Sequence, residues 1–135
     1  MELNMEHILE AVRERLSERE DIQLAFIFGS YVSGHISGES DLDIAVLFKQ
    51  IPDITVINRI RDDISEAFKR DVDIVVLNES SPIIRMQALK NGVIAVKTNR
   101  SIYNAFFVKT IKEYDDLKRI RKETEDNILK ARVYA

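Results

Sequence analysis

Two pairs of aspartates, Asp41 with Asp43 and Asp71 with Asp73, each split by one apolar residue, stand at the entrance of an apolar run, in DLDIAVLF and DVDIVVLN. In a strand, alternate side chains share a face, so Asp41 and Asp43 point one way while Leu42, Ile44 and Val46 point the other. Two strand rises separate their Cα atoms by roughly 6.6 Å. At that distance two negative charges repel by about 2.5 kcal/mol at an effective dielectric near 20. A strand that serves only as structure gains nothing in return, unless these acids are merely solvent-facing strand ends at a loop junction. The second pair changes the weighting: if the two strands are neighbours, up to four carboxylates meet on one sheet face. Hard carboxylate oxygens in small number, with room left for phosphate and water, suit Mg²⁺. Two such ions can stabilise both the attacking and the leaving oxygen of an in-line phosphoryl displacement.

Gly29-Ser30, directly after the apolar run LAFIF, supplies the other half of a candidate site. Gly29 permits close backbone approach, and Ser30 opens a short turn whose free N–H groups would face an anion. Gly-Ser alone is an ordinary turn. Followed after ten residues by Asp-x-Asp, it is a pattern expected by chance on the order of once in several hundred chains of this size.

The elements that must position these residues follow from periodicity. Met5, Ile8, Leu9, Val12 and Leu16 recur at helical spacing. Leu24–Phe28 and Asp41–Phe48 are strands joined by a Ser- and Gly-rich loop over Val32–Ser40, and the first is apolar enough to be buried on both faces. Ile54–Lys69 is a second amphipathic helix, with Pro52 and Asp53 as start signals. Asp71–Leu77 is a third strand, Ser81-Pro82 and Asn91-Gly92 bracket a short helix, and Val93–Lys97 is a fourth, edge strand. A long closing helix follows Ser101. Its eight basic and six acidic residues make a solvated face, while Tyr114, Leu117, Ile128 and Leu129 exceed what a small sheet covers and suggest a partner surface. Strands alternating with helices place the chain in the α/β (α+β) class.

Composition bounds the function. A chain of 135 residues is expected to form one domain over 1–135. A net charge of −3 argues against general nucleic-acid binding. The absence of cysteine excludes disulfides, Cys-zinc sites and thiol nucleophiles. No apolar run reaches the roughly 20 residues a membrane span needs, and the expected location is cytoplasmic. No Walker A triplet supports a kinase or nucleotide hydrolase of that kind.

Gly29-Ser30, the spacing to Asp41-Leu42-Asp43, and Asp73 in a later strand resemble the active-site signature of the DNA polymerase β-like nucleotidyltransferases. More narrowly, the chain resembles the minimal nucleotidyltransferases, the MNT proteins encoded beside HEPN-domain ribonucleases as toxin–antitoxin pairs. The likeness is sharp over residues 24–48 and 71–77 and looser through KNGVIAV and YDDLKRIR. It implies the polymerase β-like fold, a mixed β-sheet of about four strands flanked by helices, with Asp41 and Asp43 holding two Mg²⁺ ions and Asp73 completing the catalytic metal site near the acceptor hydroxyl. It also implies ATP as donor, Gly29 and Ser30 on its phosphates, and transfer of AMP to a protein hydroxyl, a tyrosine of the partner HEPN toxin, with release of pyrophosphate. Where members often carry an A-R-G stretch, this chain reads V-S-G, with Ser33 in the arginine's place.

Two other readings keep the fold: an antitoxin that is catalytically idle and acts by binding alone, and a nucleotidyltransferase with a small-molecule acceptor. Asp71 reads as a solvated acid, His35 as an exposed loop residue and His7 as structural. Arg85, Lys90, Lys97 and Arg100 are candidate triphosphate partners, because two metal ions do not neutralise a nucleotide fully.

Overall fold

The computed structural model describes residues 4–28 and 42–134. Helix α1 (Met5–Ser17) begins where the Asn4 side chain accepts a hydrogen bond from the His7 N–H at 2.9 Å, and its apolar stripe of Ile8, Val12 and Leu16 is buried. Strand β1 (Ile22–Phe28) is buried from Leu24 to Ile27, as a continuous apolar run requires when both faces are covered. Then come β2 (Leu42–Phe48) and α2 (Ile54–Phe68). Asp53 caps α2, its side chain accepting from the Thr55 N–H at 3.1 Å. Strand β3 (Val72–Val76) leads through a 3₁₀ turn at Leu77–Glu79 into α3 (Pro82–Asn91), which Ser81 caps with Pro82 in the first turn. Strand β4 (Val93–Lys97) and α4 (Arg100–Tyr134) complete the order. At the start of α4 the Asn99 side chain accepts from the Ser101 and Ile102 N–H groups.

The four strands form one mixed sheet in the order β3-β2-β1-β4. β1 runs antiparallel to both neighbours, while β2 and β3 are parallel. Parallel strands need a crossover, and α2 supplies it. On one face α1 and α2 pack through Ile8, Val12, Leu16, Ile60 and Ile64 onto Ala25, Ile27, Ile44 and Val46. On the other, Ala88 of α3 and Phe106 of α4 pack onto Leu24, Phe26, Ala45 and Leu77, with the Phe26 and Phe106 rings tilted at 6.2 Å. Among the described residues, no helix is long and apolar enough to cross a membrane.

Three local details differ from the sequence expectation. The third strand stops at Val76 because the Asn78 side chain occupies the next ladder position: its Oδ1 accepts from the Phe48 N–H at 2.9 Å and its Nδ2 donates to the Phe48 carbonyl at 2.8 Å. Gly92 ends α3 with φ −79°, so its role is close approach rather than left-handed backbone. The left-handed cap falls instead on Lys69 at the end of α2, with φ 52° and ψ 43°. A side chain costs free energy there that glycine avoids. Lys69→Gly is therefore expected to stabilise the fold by roughly 0.5–1 kcal/mol, measured as a higher urea midpoint with unchanged slope.

Candidate functional site

β2 and β3 lie side by side in matched register: Leu42 pairs with Val72, Asp43 with Asp73 and Ile44 with Ile74. The entrance is pinned by the Leu42 N–H donating to the Asp71 carbonyl at 3.0 Å. Because the pleat alternates, Leu42, Ile44 and Val46 enter the core under α1 and α2. Ala45 and Val75 face α3 and α4. Asp43 and Asp73 share the parity of Ala45 and Val75, so both carboxylates stand on this second face at its open end. In-register residues on neighbouring strands lie about 4.8 Å apart, close enough for two carboxylates to share a cation. Asp43 is half-buried, flanked on its other side by Phe28 of β1 in register, whereas Asp73 is exposed on the edge strand.

The sequence-predicted residues fall into three groups. Asp43 and Asp73 are brought together. Gly29, Ser30 and Asp41, with Ser33 and His35, lie outside the described residues. The remainder are elsewhere or otherwise occupied. Asp71 is exposed just before β3, where its described contribution is the backbone carbonyl. Arg85 is a strut: its guanidinium pairs with Glu113 of α4, and its Nε donates to the Leu77 carbonyl at 3.2 Å, tying α3 to the 3₁₀ turn and to α4. Lys97 sits over the Tyr103 ring at 5.5 Å, on the β4 residue that pairs with Leu24, at the far end of the sheet from Asp43. Arg100 is exposed at the start of α4. Lys90 is exposed in the last turn of α3, which leads into β4, the edge strand opposite β3. His7 is exposed on α1.

Among the described residues no group of three or more metal-ligating side chains gathers. What these residues contribute is a pair of oxygen donors, the donor chemistry that suits Mg²⁺ over zinc or copper. On the same sheet face, at the end away from Asp43, Gln23, Leu47, Asn78, Arg85 and Phe106 help line a cavity of about 370 Å³. It contains none of the candidate carboxylates. The Asn78 bridge and the Arg85–Glu113 tie escaped the sequence reading. Asn78 carries a weak local signal, an asparagine directly after an apolar strand. Arg85 and Glu113 are 28 residues apart, with no periodic relation to betray them.

The fold has its counterpart among known proteins. The family described as Polymerase beta, Nucleotidyltransferase matches residues 10–101, and the chain belongs to it. Over 50 residues the chain is 42% identical to the protein adenylyltransferase MntA of Thermococcus cleftensis, a match covering 37% of this chain and 50% of that protein. The chain thus spans about half the length of the curated relative it matches. Its fold is similar to a chain of a toxin–antitoxin crystal structure with AMP-PNP, at 28% identity and a TM-score of 0.78, covering 90% of this chain and 98% of that one. It is also similar to a chain of the complex of tri-AMPylated Shewanella oneidensis HEPN toxin with MNT antitoxin, at 26% identity and a TM-score of 0.74, covering 92% and 98%.

Proposed function

We propose that this protein is a Mg²⁺-dependent nucleotidyltransferase that moves AMP from ATP to a protein hydroxyl, a tyrosine of a partner HEPN toxin, and thereby acts as its antitoxin. The observation that carries this reading is the in-register pair Asp43 and Asp73 at the open end of the β2–β3 face. Support comes from the relatives: one is named a protein adenylyltransferase, one was crystallised as a toxin–antitoxin with AMP-PNP, and one as an MNT antitoxin with an AMPylated HEPN toxin.

In this reading Asp41, Asp43 and Asp73 hold the cation, as two ions, and Gly29 and Ser30 receive the triphosphate. Bound Mg²⁺ neutralises phosphate charge and polarises the α-phosphorus. The acceptor oxygen attacks that phosphorus, a new O–P bond forms, the bond to the β-phosphate oxygen breaks, and pyrophosphate leaves. Asp73, exposed at the sheet edge, stands on the side open to a macromolecular acceptor and takes the hydroxyl proton. Half-buried Asp43 is the fixed anchor of the pair.

Label position tests the reaction class. With Mg²⁺ and the cognate toxin, label in the α-phosphate of ATP is expected on the toxin, label in the γ-phosphate is not, and EDTA abolishes transfer. Transfer from the γ-position alone would make the protein a kinase and reject the proposal.

A further inference from the structure

The two edges of the sheet are finished differently. On the β4 side, Ala95 is an extra residue between the pairs Ala25–Val96 and Phe26–Ile94, a bulge that interrupts the ladder, and its carbonyl accepts from the Arg13 Nε of α1 at 2.9 Å. Bulges and covering groups keep a free edge from pairing with another chain. On the β3 side neither device is present among the described residues. Val72–Val76 stays in unbroken register with β2 and contains no proline, glycine or lysine. Length does not explain the contrast, since both edge strands have five residues. The one charge on the β3 edge is Asp73, the acid assigned above to the cation.

The ladder fixes which backbone groups point outward. The Leu42 N–H donates to the Asp71 carbonyl, so the main-chain groups of Asp71, Asp73 and Val75 turn toward β2. Main-chain direction alternates along a strand, so the N–H and C=O of Val72, Ile74 and Val76 turn away from the sheet. Among the described residues, none hydrogen-bonds to these outward groups. They form a template for one more strand, and a strand laid there would set one residue level with Asp73, its side chain on the same face. Across the sheet the row then reads incoming residue, Asp73, Asp43. A second copy of β3 suits this place poorly, because it would bring another Asp73 to the same face, where like charges repel.

We propose that the β3 edge receives the acceptor: an extended segment of the partner protein adds as a fifth strand, with its tyrosine level with Asp73. The inference rests on the nucleotidyltransferase reading and adds how the acceptor is held. Main-chain bonds to Val72, Ile74 and Val76 hold the segment, and alternate side chains select it.

The test uses the full chain and a short synthetic peptide centred on the toxin tyrosine that takes AMP. With Mg²⁺ and the α,β-methylene analogue of ATP, which cannot give up AMP, amide exchange is followed by NMR. The Ile74 and Val76 N–H groups are expected to exchange at least about 10-fold more slowly once the peptide is added, while those of Asp73 and Val75, already in the ladder, change little. With ATP, methylating the peptide nitrogens one at a time should lower kcat/KM at least about 10-fold at every second position and spare those between, the phase reporting strand direction. Equal losses at neighbouring positions, unchanged exchange at Ile74 and Val76, or a peptide left unmodified while the whole toxin is modified would each overturn this inference and leave the catalytic reading standing. Failure of AMP to reach the whole toxin would remove that reading and this inference together. Ile74 and Val76 amides already protected in the free chain, in step with a concentration-dependent dimer, would give the edge to a second copy and overturn the proposal.

Discussion

Asp73→Asn and Asp43→Asn are each expected to slow AMP transfer by more than about 100-fold, since losing even an outer-shell partner of a metal ligand costs 10- to 100-fold and these are assigned to the ion itself. Asparagine keeps the shape and one oxygen, so packing is preserved while a negative donor is lost. Like charges in register on neighbouring strands destabilise by roughly 0.2–1 kcal/mol, which Asp73→Asn relieves. Its melting temperature without metal should therefore stay level or rise slightly, while the rise on adding Mg²⁺ and ATP should shrink or vanish. Transfer assays paired with melting curves with and without Mg²⁺ give both readouts. A folded Asp73→Asn protein that transfers AMP at the unaltered rate would remove this residue from the chemistry. Toxicity assays separate the enzymatic antitoxin from the idle one: a folded Asp43→Asn protein that still binds and fully protects would assign neutralisation to occlusion.

Gly92→Ala is expected to be the most damaging small substitution in the described fold. A Cβ at Gly92 would press into the Ala88 carbonyl oxygen, well inside van der Waals contact, and also crowd the Phe26 Cβ. The carbonyl cannot swing away cheaply, because it accepts the Gly92 N–H at 2.9 Å and belongs to the last turn of α3. Relief requires moving the α3–β4 junction, hence the register of β4 on β1 and the packing of Ala88 and Phe26 beneath it. Overpacking of this kind costs about 1–3 kcal/mol, and the strained hydrogen bond adds about 1 kcal/mol. The sum is a loss of roughly 2–4 kcal/mol, read by urea denaturation, and a fall in Tm on the order of 10 °C. A change below about 0.5 kcal/mol would mean that the junction yields freely.

Much of the architecture was legible because it rests on local rules. Helical periodicity located Ile8, Val12 and Leu16 on one buried stripe, and the residues Asp53 and Ser81-Pro82 announced helix starts through hydrogen bonds that reach only two or three positions along the chain. Alternation in DLDIAVLF put Leu42, Ile44 and Val46 on the face opposite Asp43, because the pleat reverses at every residue whatever the partner strand. Family likeness singled out Asp73 among the acids of DVDIVVLN, but periodicity alone left it level with Asp71.

Tertiary structure decided which strands are neighbours and in what register. Asp43 and Asp73 are thirty positions apart, and only the α2 crossover, with the Leu42 N–H on the Asp71 carbonyl, sets them side by side. The same dependence on distant partners turned Arg85 from a candidate phosphate contact into a strut on Glu113, and let Asn78 close β3 by standing in for backbone beside Phe48. A side chain's face follows from its own dihedral angles and those of its near neighbours, which the sequence carries. Its companions on that face follow from how remote segments share one core, a choice made by the packing of the whole chain.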